Sequence, residues 1–93
     1  MNAARTDTGS TALTYASEQG HLGIARLLLN RGANVNAATA DGGYTALMYA
    51  STNGRLSTVQ LLLASGANKD AMSTAGQTAL ALASTPEIKH VLK

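Results

Sequence analysis

Apolar residues in this chain come in short clusters at helical spacing, and polar, glycine-marked stretches separate them. An Ala-Leu run of high helix propensity follows each of Thr11, Thr45 and Thr78. Each threonine can act as an N-cap, its hydroxyl accepting a backbone N–H of the next turn. Gly20 and Gly54 fall where a first helix of about nine residues would end, because glycine takes positive φ at a helix C-terminus without strain. A second helix follows, carrying Leu22, Ile24, Leu27 and Leu28, and in its next occurrence Leu56, Val59, Leu61, Leu62 and Leu63; Gly32 and Gly66 stop it. Between helix pairs the chain is rich in Asn, Ala, Asp and Gly and aperiodic, which predicts an extended hairpin-like turn with its tip near Asp41-Gly42-Gly43. Helices of about 9–11 residues are not stable alone in water, so each must pack on a neighbour.

The recurrence is a tandem repeat. Asn2–Ala37 laid over Asn36–Ala71 matches without a gap at about 20 of 36 positions, a period of 34 residues. A third copy begins at Asp70-Ala71, passes through Gly76 and Thr78-Ala79-Leu80 with one residue fewer before the threonine, then loses about three residues and stops at Lys93. The reading is one array over residues 1–93, with units at about 2–35, 36–69 and 70–93.

Composition narrows the picture. The 93 residues are 45% hydrophobic and 13% charged, with no Cys, Trp or Phe and three Tyr. A core of small aliphatics requires backbones that approach closely, and without cysteine there is no disulfide, thiolate metal site or thiol nucleophile. The net charge of +2 comes from scattered residues, Arg5, Arg26, Arg31, Arg55, Lys69, Lys89 and Lys93, and not from a patch suited to several phosphates. No segment has the length or apolarity of a membrane span or a signal-peptide core, so the chain reads as soluble and cytoplasmic.

The skeleton Thr-Ala-Leu-x-Tyr-Ala-Ser-x-x-Gly-[His/Arg]-Leu followed by Leu-Leu-Leu-x-x-Gly-Ala-Asn resembles the ankyrin repeat. The resemblance implies an all-α repeat fold, a solenoid of stacked helix-turn-helix units joined by hairpin-like loops. It also implies a non-catalytic module that binds a protein partner, the alternative being a structural segment of a longer array with no ligand of its own. Three departures stand out. Ala12, Ala46 and Ala79 replace the family's proline. Thr14, Met48 and Ala81 replace its bridging histidine, which predicts weaker coupling between units by about 1 kcal/mol per lost bond. The hairpins before Thr11 and Thr45 are one residue longer than the family norm. The N-terminus begins inside a unit, as a piece cut from a longer array would. At the other end Thr85-Pro86-Glu87 is a strong helix start, and Ile88, Val91 and Leu92 form an apolar stripe with Lys89 and Lys93 outward, as in a C-terminal cap.

Chemistry is sparse. His21 and His90 are the candidates for a general base; His21 reads as the start of a second helix, with Arg55 as its counterpart, and His90 as solvated. Asp7, Glu18, Asp41, Asp70 and Glu87 are too dispersed for an acid–base pair and read as turn residues. No nucleophile-elbow or phosphate-loop motif occurs, and no metal-ligand spacing, so neither a cofactor nor a metal is expected. Asn36 stands, by resemblance, where eukaryotic members carry a hydroxylation site, and reads on its own as a turn Asn bonding backbone.

The resemblance places partner contacts on hairpin tips and first-helix faces lining a concave groove. Carried onto this chain, these are Asp7, Thr8, Ser10, Glu18 and Gln19 in the first unit. In the second they are Asp41, Gly42, Tyr44, Thr52 and Asn53, and in the third Thr74, Ala75 and Gln77. Tyr44 is the leading candidate, an aromatic at a tip with little core to join. Tyr15 and Tyr49, at one helical position, are expected to pack between units, the Leu-Leu-Leu runs to be core, and Met48 to lie at the groove edge. The expected partner is a protein, with no nucleic acid and no membrane insertion. The chain is expected to be a monomer that could self-associate through an uncapped N-terminal face bearing Leu13 and Leu22.

Overall fold

The computed structural model of the chain describes residues 12–93, so the expectations placed on Asp7, Thr8, Ser10 and Thr11 lie outside the described residues. Six helices form three pairs. α1 covers residues 12–19 and α2 Leu22–Asn30; α3 (Ala46–Thr52) and α4 (Leu56–Ala64) make the second pair, α5 (Ala79–Leu82) and α6 (Pro86–Leu92) the third. The second-helix row packs in chain order, α2 on α4 and α4 on α6, while α3 packs on both α4 and α5.

The helix starts follow from the threonines. Thr45 and Thr78 are extended residues whose hydroxyls accept from Met48 N–H (3.3 Å) and Ala81 N–H (3.2 Å), so Ala46 and Ala79 take the first helical position. Thr85 caps α6 in the same way, with Pro86 next. The stops are equally regular. Gly54 has φ +72° and Arg55 N–H reaches back to Ala50 O (2.9 Å), and at Gly66, φ +96°, Ala67 N–H bonds Leu62 O (2.9 Å). This is the six-to-one closure that a left-handed residue after the last turn permits.

The first helices are shorter than expected, seven residues in α3 and four in α5. α5 has no glycine stop. Ala83 is already extended, and Pro86 both disfavours helix at Thr85 and lacks an N–H, so the chain leaves the helix early.

Among the described residues the core contains Leu13, Leu47, Met48, Val59, Leu62, Ile88, Leu92 and six alanines, Ala16, Ala25, Ala46, Ala50, Ala79 and Ala83. Alanine takes nearly half of the core positions, which allows helices to sit close together without bulky filling. Several expectations are corrected. Met48 is buried at 1% exposure within the core and is not at a groove edge. Each Leu-Leu-Leu run buries only partly: Leu62 is fully enclosed and Leu61, Leu63, Leu28 and Leu29 are half-buried, whereas Leu27 is half-exposed, because three successive helical positions span most of the circumference. Leu13 is buried and does not lie on an open face.

Candidate partner-binding surface

The hairpin between the first two pairs is real. Ala38 and Thr45 form an antiparallel bridge, Thr39 N–H donates to Tyr44 O (2.9 Å), and Gly43 N–H donates back to Thr39 O (3.2 Å). The loop between Thr39 and Tyr44 therefore holds Ala40, Asp41, Gly42 and Gly43. In the third unit Ser73 N–H bonds Gln77 O (2.9 Å) around Thr74, Ala75 and Gly76 alone. The residue missing before Thr78 is thus a hairpin-tip residue, and the second hairpin projects one residue further than the third.

Thr39 and Ser73 organise these tips. The Thr39 hydroxyl accepts from Tyr44 N–H (3.0 Å) and donates to Asp41 O (2.9 Å), and the Ser73 hydroxyl accepts from Ala75 and Gln77 N–H (both 3.3 Å). Neighbouring tips are joined as well, since Gly42 O accepts from Thr74 N–H (3.0 Å) and from the Thr74 hydroxyl (3.2 Å).

At the first-helix ends, the Glu18 carbonyl accepts from Asn53 Nδ2 (3.0 Å) and Arg55 Nε (3.2 Å). One unit later Ser51 O accepts from Ser84 N–H (3.1 Å) and the Ser84 hydroxyl (3.3 Å). On the loop side Asn36 Nδ2 donates to Gly66 O (3.2 Å) while its Oδ1 accepts from Asn68 N–H (2.7 Å). Asn36 does bond backbone, that of Gly66 and Asn68 beyond the second helix pair.

Of the candidate contact residues, Gln19, Asp41, Thr52, Asn53, Thr74 and Ala75 are exposed, and Glu18, Gly42, Tyr44 and Gln77 are half-buried. The Thr52 hydroxyl is turned to Met48 O (2.9 Å) and Gln77 Oε1 accepts from the Ser73 hydroxyl (3.3 Å). Tyr44 folds back: its ring centroid lies 5.7 Å from that of Tyr49 at 56°, and a Cβ on Gly42 would overlap the ring. Glycine is required there on two counts, since its φ is +93°. Tyr49, half-buried, thus packs against a ring of its own unit. Tyr15 is 60% exposed; the position matching Tyr44 in its unit is Ser10, which offers no ring to pair with. His21 is exposed at the start of α2 and His90 is exposed on α6.

One surface residue had no counterpart in the sequence argument. Met72, in the arm leading to the third hairpin, is 64% exposed. Its matches in the earlier units are Ala38 and Ala4, so the repeat alignment itself marks it as the position where a small residue becomes large.

Capped helix pairs, hairpins between them and joints that repeat from pair to pair define a helical solenoid. Comparison with protein families agrees: the model for ankyrin repeats in three copies matches residues 1–73 and 37–92. The chain belongs to the ankyrin-repeat family, whose members are generally non-catalytic protein–protein interaction modules. Comparison with curated proteins gives no match. No helix among the described residues is long and apolar enough to cross a membrane.

Proposed function

We propose that this chain binds a protein partner through the surface formed by its hairpin tips and first-helix ends. The supporting observation is the pairing of a fixed backbone with free side chains. Gly42 O and Glu18 O anchor the tips and helix ends of adjacent units, while Gln19, Asp41 and Ala75 extend into solvent. Side chains on a backbone that is already ordered lose less entropy on binding than those on a free loop. Tyr44, held against Tyr49 with part of its ring open, supplies a rigid aromatic contact of the kind enriched in binding hot spots. Met72 adds a flexible apolar one.

The test is affinity capture with Asp41→Ala, Tyr44→Ala and Met72→Ala beside the parent protein, with Arg31→Ala as a control away from the tips. Circular dichroism establishes that each variant is folded. The surface is supported if tip variants lose a partner that Arg31→Ala retains; equal capture by all of them sinks it.

A further inference from the structure

Asn53 and Gly54 close α3, and the side chains on either side of Gly54 reach a single atom of the preceding helix pair. Asn53 Nδ2 and Arg55 Nε both donate to Glu18 O, at 3.0 and 3.2 Å. The stem of Arg55 lies over Gly20, where a Cβ would come within 2.8 Å of Arg55 Cδ. Asn53 is nevertheless exposed, so water has access to its amide.

Asparagine followed by glycine is the pair in which a backbone nitrogen most readily attacks the side-chain amide, because glycine has no Cβ to crowd that nitrogen. Every other asparagine in the chain precedes a residue with a side chain. The repeat supplies an internal contrast. In the first unit Gln19 and Gly20 hold this place, the glycine again at positive φ (+76° against +72° at Gly54), and the longer glutamine would have to close a larger, slower-forming ring.

The folded backbone holds the reaction off. Asn53 has ψ 8°, which eclipses the Gly54 nitrogen with the nitrogen of Asn53 and turns it away from the Cβ side. The Gly54 N–H is directed at Ser51 O (3.4 Å). Ring closure requires rotation about the Asn53 Cα–C bond. That rotation redirects the chain at Gly54, and the cap and the bonds to Glu18 O are released with it.

We propose that Asn53 is a deamidation site whose reaction is gated by the joint to Glu18. When the joint opens, the Gly54 nitrogen gives up its proton and bonds to Asn53 Cγ; the Cγ–Nδ2 bond breaks and that nitrogen leaves as ammonia. Water then opens the five-membered imide at one of its two carbonyls, leaving aspartate or isoaspartate at position 53. The new carboxylate has no N–H for Glu18 O, so this half of the joint is not remade. Opening of the first helix pair from the second thereby leaves a permanent chemical mark.

Peptide mapping by mass spectrometry follows the conversion of the 93-residue chain in mildly alkaline buffer, folded and in urea. In urea Asn53 is expected to convert before every other asparagine, with isoaspartate among the products. In the folded chain it is expected to convert about tenfold more slowly or less, as a bond reached only through local opening. Arg55→Ala removes one of the two bonds to Glu18 O and leaves the Asn-Gly pair intact. It is expected to raise the folded rate about fivefold, the equivalent of one hydrogen bond, and to match the parent in urea. Ile88→Val lowers stability at the far end of the stack and is expected to leave the folded rate close to that of the parent. Equal rates for the parent in buffer and urea, or a product without isoaspartate, overturn the proposal. So does an Ile88→Val variant accelerated as much as Arg55→Ala, which would make global unfolding the gate.

Discussion

Gly42 and Thr74 are 32 residues apart and joined by two hydrogen bonds, the Gly42 carbonyl accepting from both the backbone N–H and the hydroxyl of Thr74. The tip of the longer hairpin is thereby fastened to the shorter one. Thr74 follows Ser73 in a turn closed by Gly76 N–H on Ser73 O (2.9 Å), a position where proline is favoured. Thr74→Pro therefore suits the local turn while removing both donors to Gly42. Urea denaturation should show a loss of about 1 kcal/mol. A gain in stability, the usual result of a compatible proline, would mean the link contributes nothing.

Asn36 ties the loop ahead of the second helix pair to the loop behind it, through donor and acceptor together. Asn36→Ala removes both bonds and should cost about 1–2 kcal/mol in the same assay. Asn36→Asp keeps the acceptor for Asn68 N–H but sets a carboxylate oxygen against Gly66 O, so it should be no better than alanine at neutral pH. A variant as stable as the parent would show that this exposed clamp is replaced by water without loss.

Ser17 and Ser51 occupy one repeat position, both fully buried, yet they differ. Ser51 Oγ donates to Leu47 O at 2.7 Å, whereas the Ser17 hydroxyl has no partner among the described residues. A buried unpaired hydroxyl costs about 1–3 kcal/mol. Ser17→Ala should raise the thermal midpoint and Ser51→Ala should leave it level or lower it. Identical shifts for the two would remove the distinction.

Gly54→Ala forces a side chain into φ +72°, at about 1–2 kcal/mol. A Cβ there meets Ser84 Oγ at 3.4 Å, close enough to press on the donor to Ser51 O. Gly23→Ala is the control: φ is not positive, nothing lies within 4 Å of a new Cβ, and the residue is inside α2, so stability should rise by about 0.5–1 kcal/mol.

Much of this architecture is written locally. The caps at Thr45, Thr78 and Thr85 and the stops at Gly54 and Gly66 depend on residues within one turn, so the residue types sufficed to locate them. Burial on helix flanks is a property of the neighbour. Leu27 and Leu61 are alike in sequence and differ because one has a helix beside it. Tyr49 is half-buried with the Tyr44 ring against it, whereas Tyr15 at the same repeat position is exposed. The candidate surface was legible as a set of positions. The joints beneath it were not, because a side chain bonding a distant backbone carbonyl leaves no paired signature in the sequence.

Those joints have an asymmetry with an evolutionary consequence. At Glu18, Gly42, Ser51 and Gly66 the accepting group is a main-chain oxygen, which every amino acid possesses. Substituting Glu18 alters what the surface offers to solvent but leaves intact the atom that Asn53 and Arg55 hold. Cohesion at this joint constrains the donors Asn53 and Arg55, and Glu18 is at liberty to drift, so a new binding preference can arise there without loosening the stack on which it is displayed.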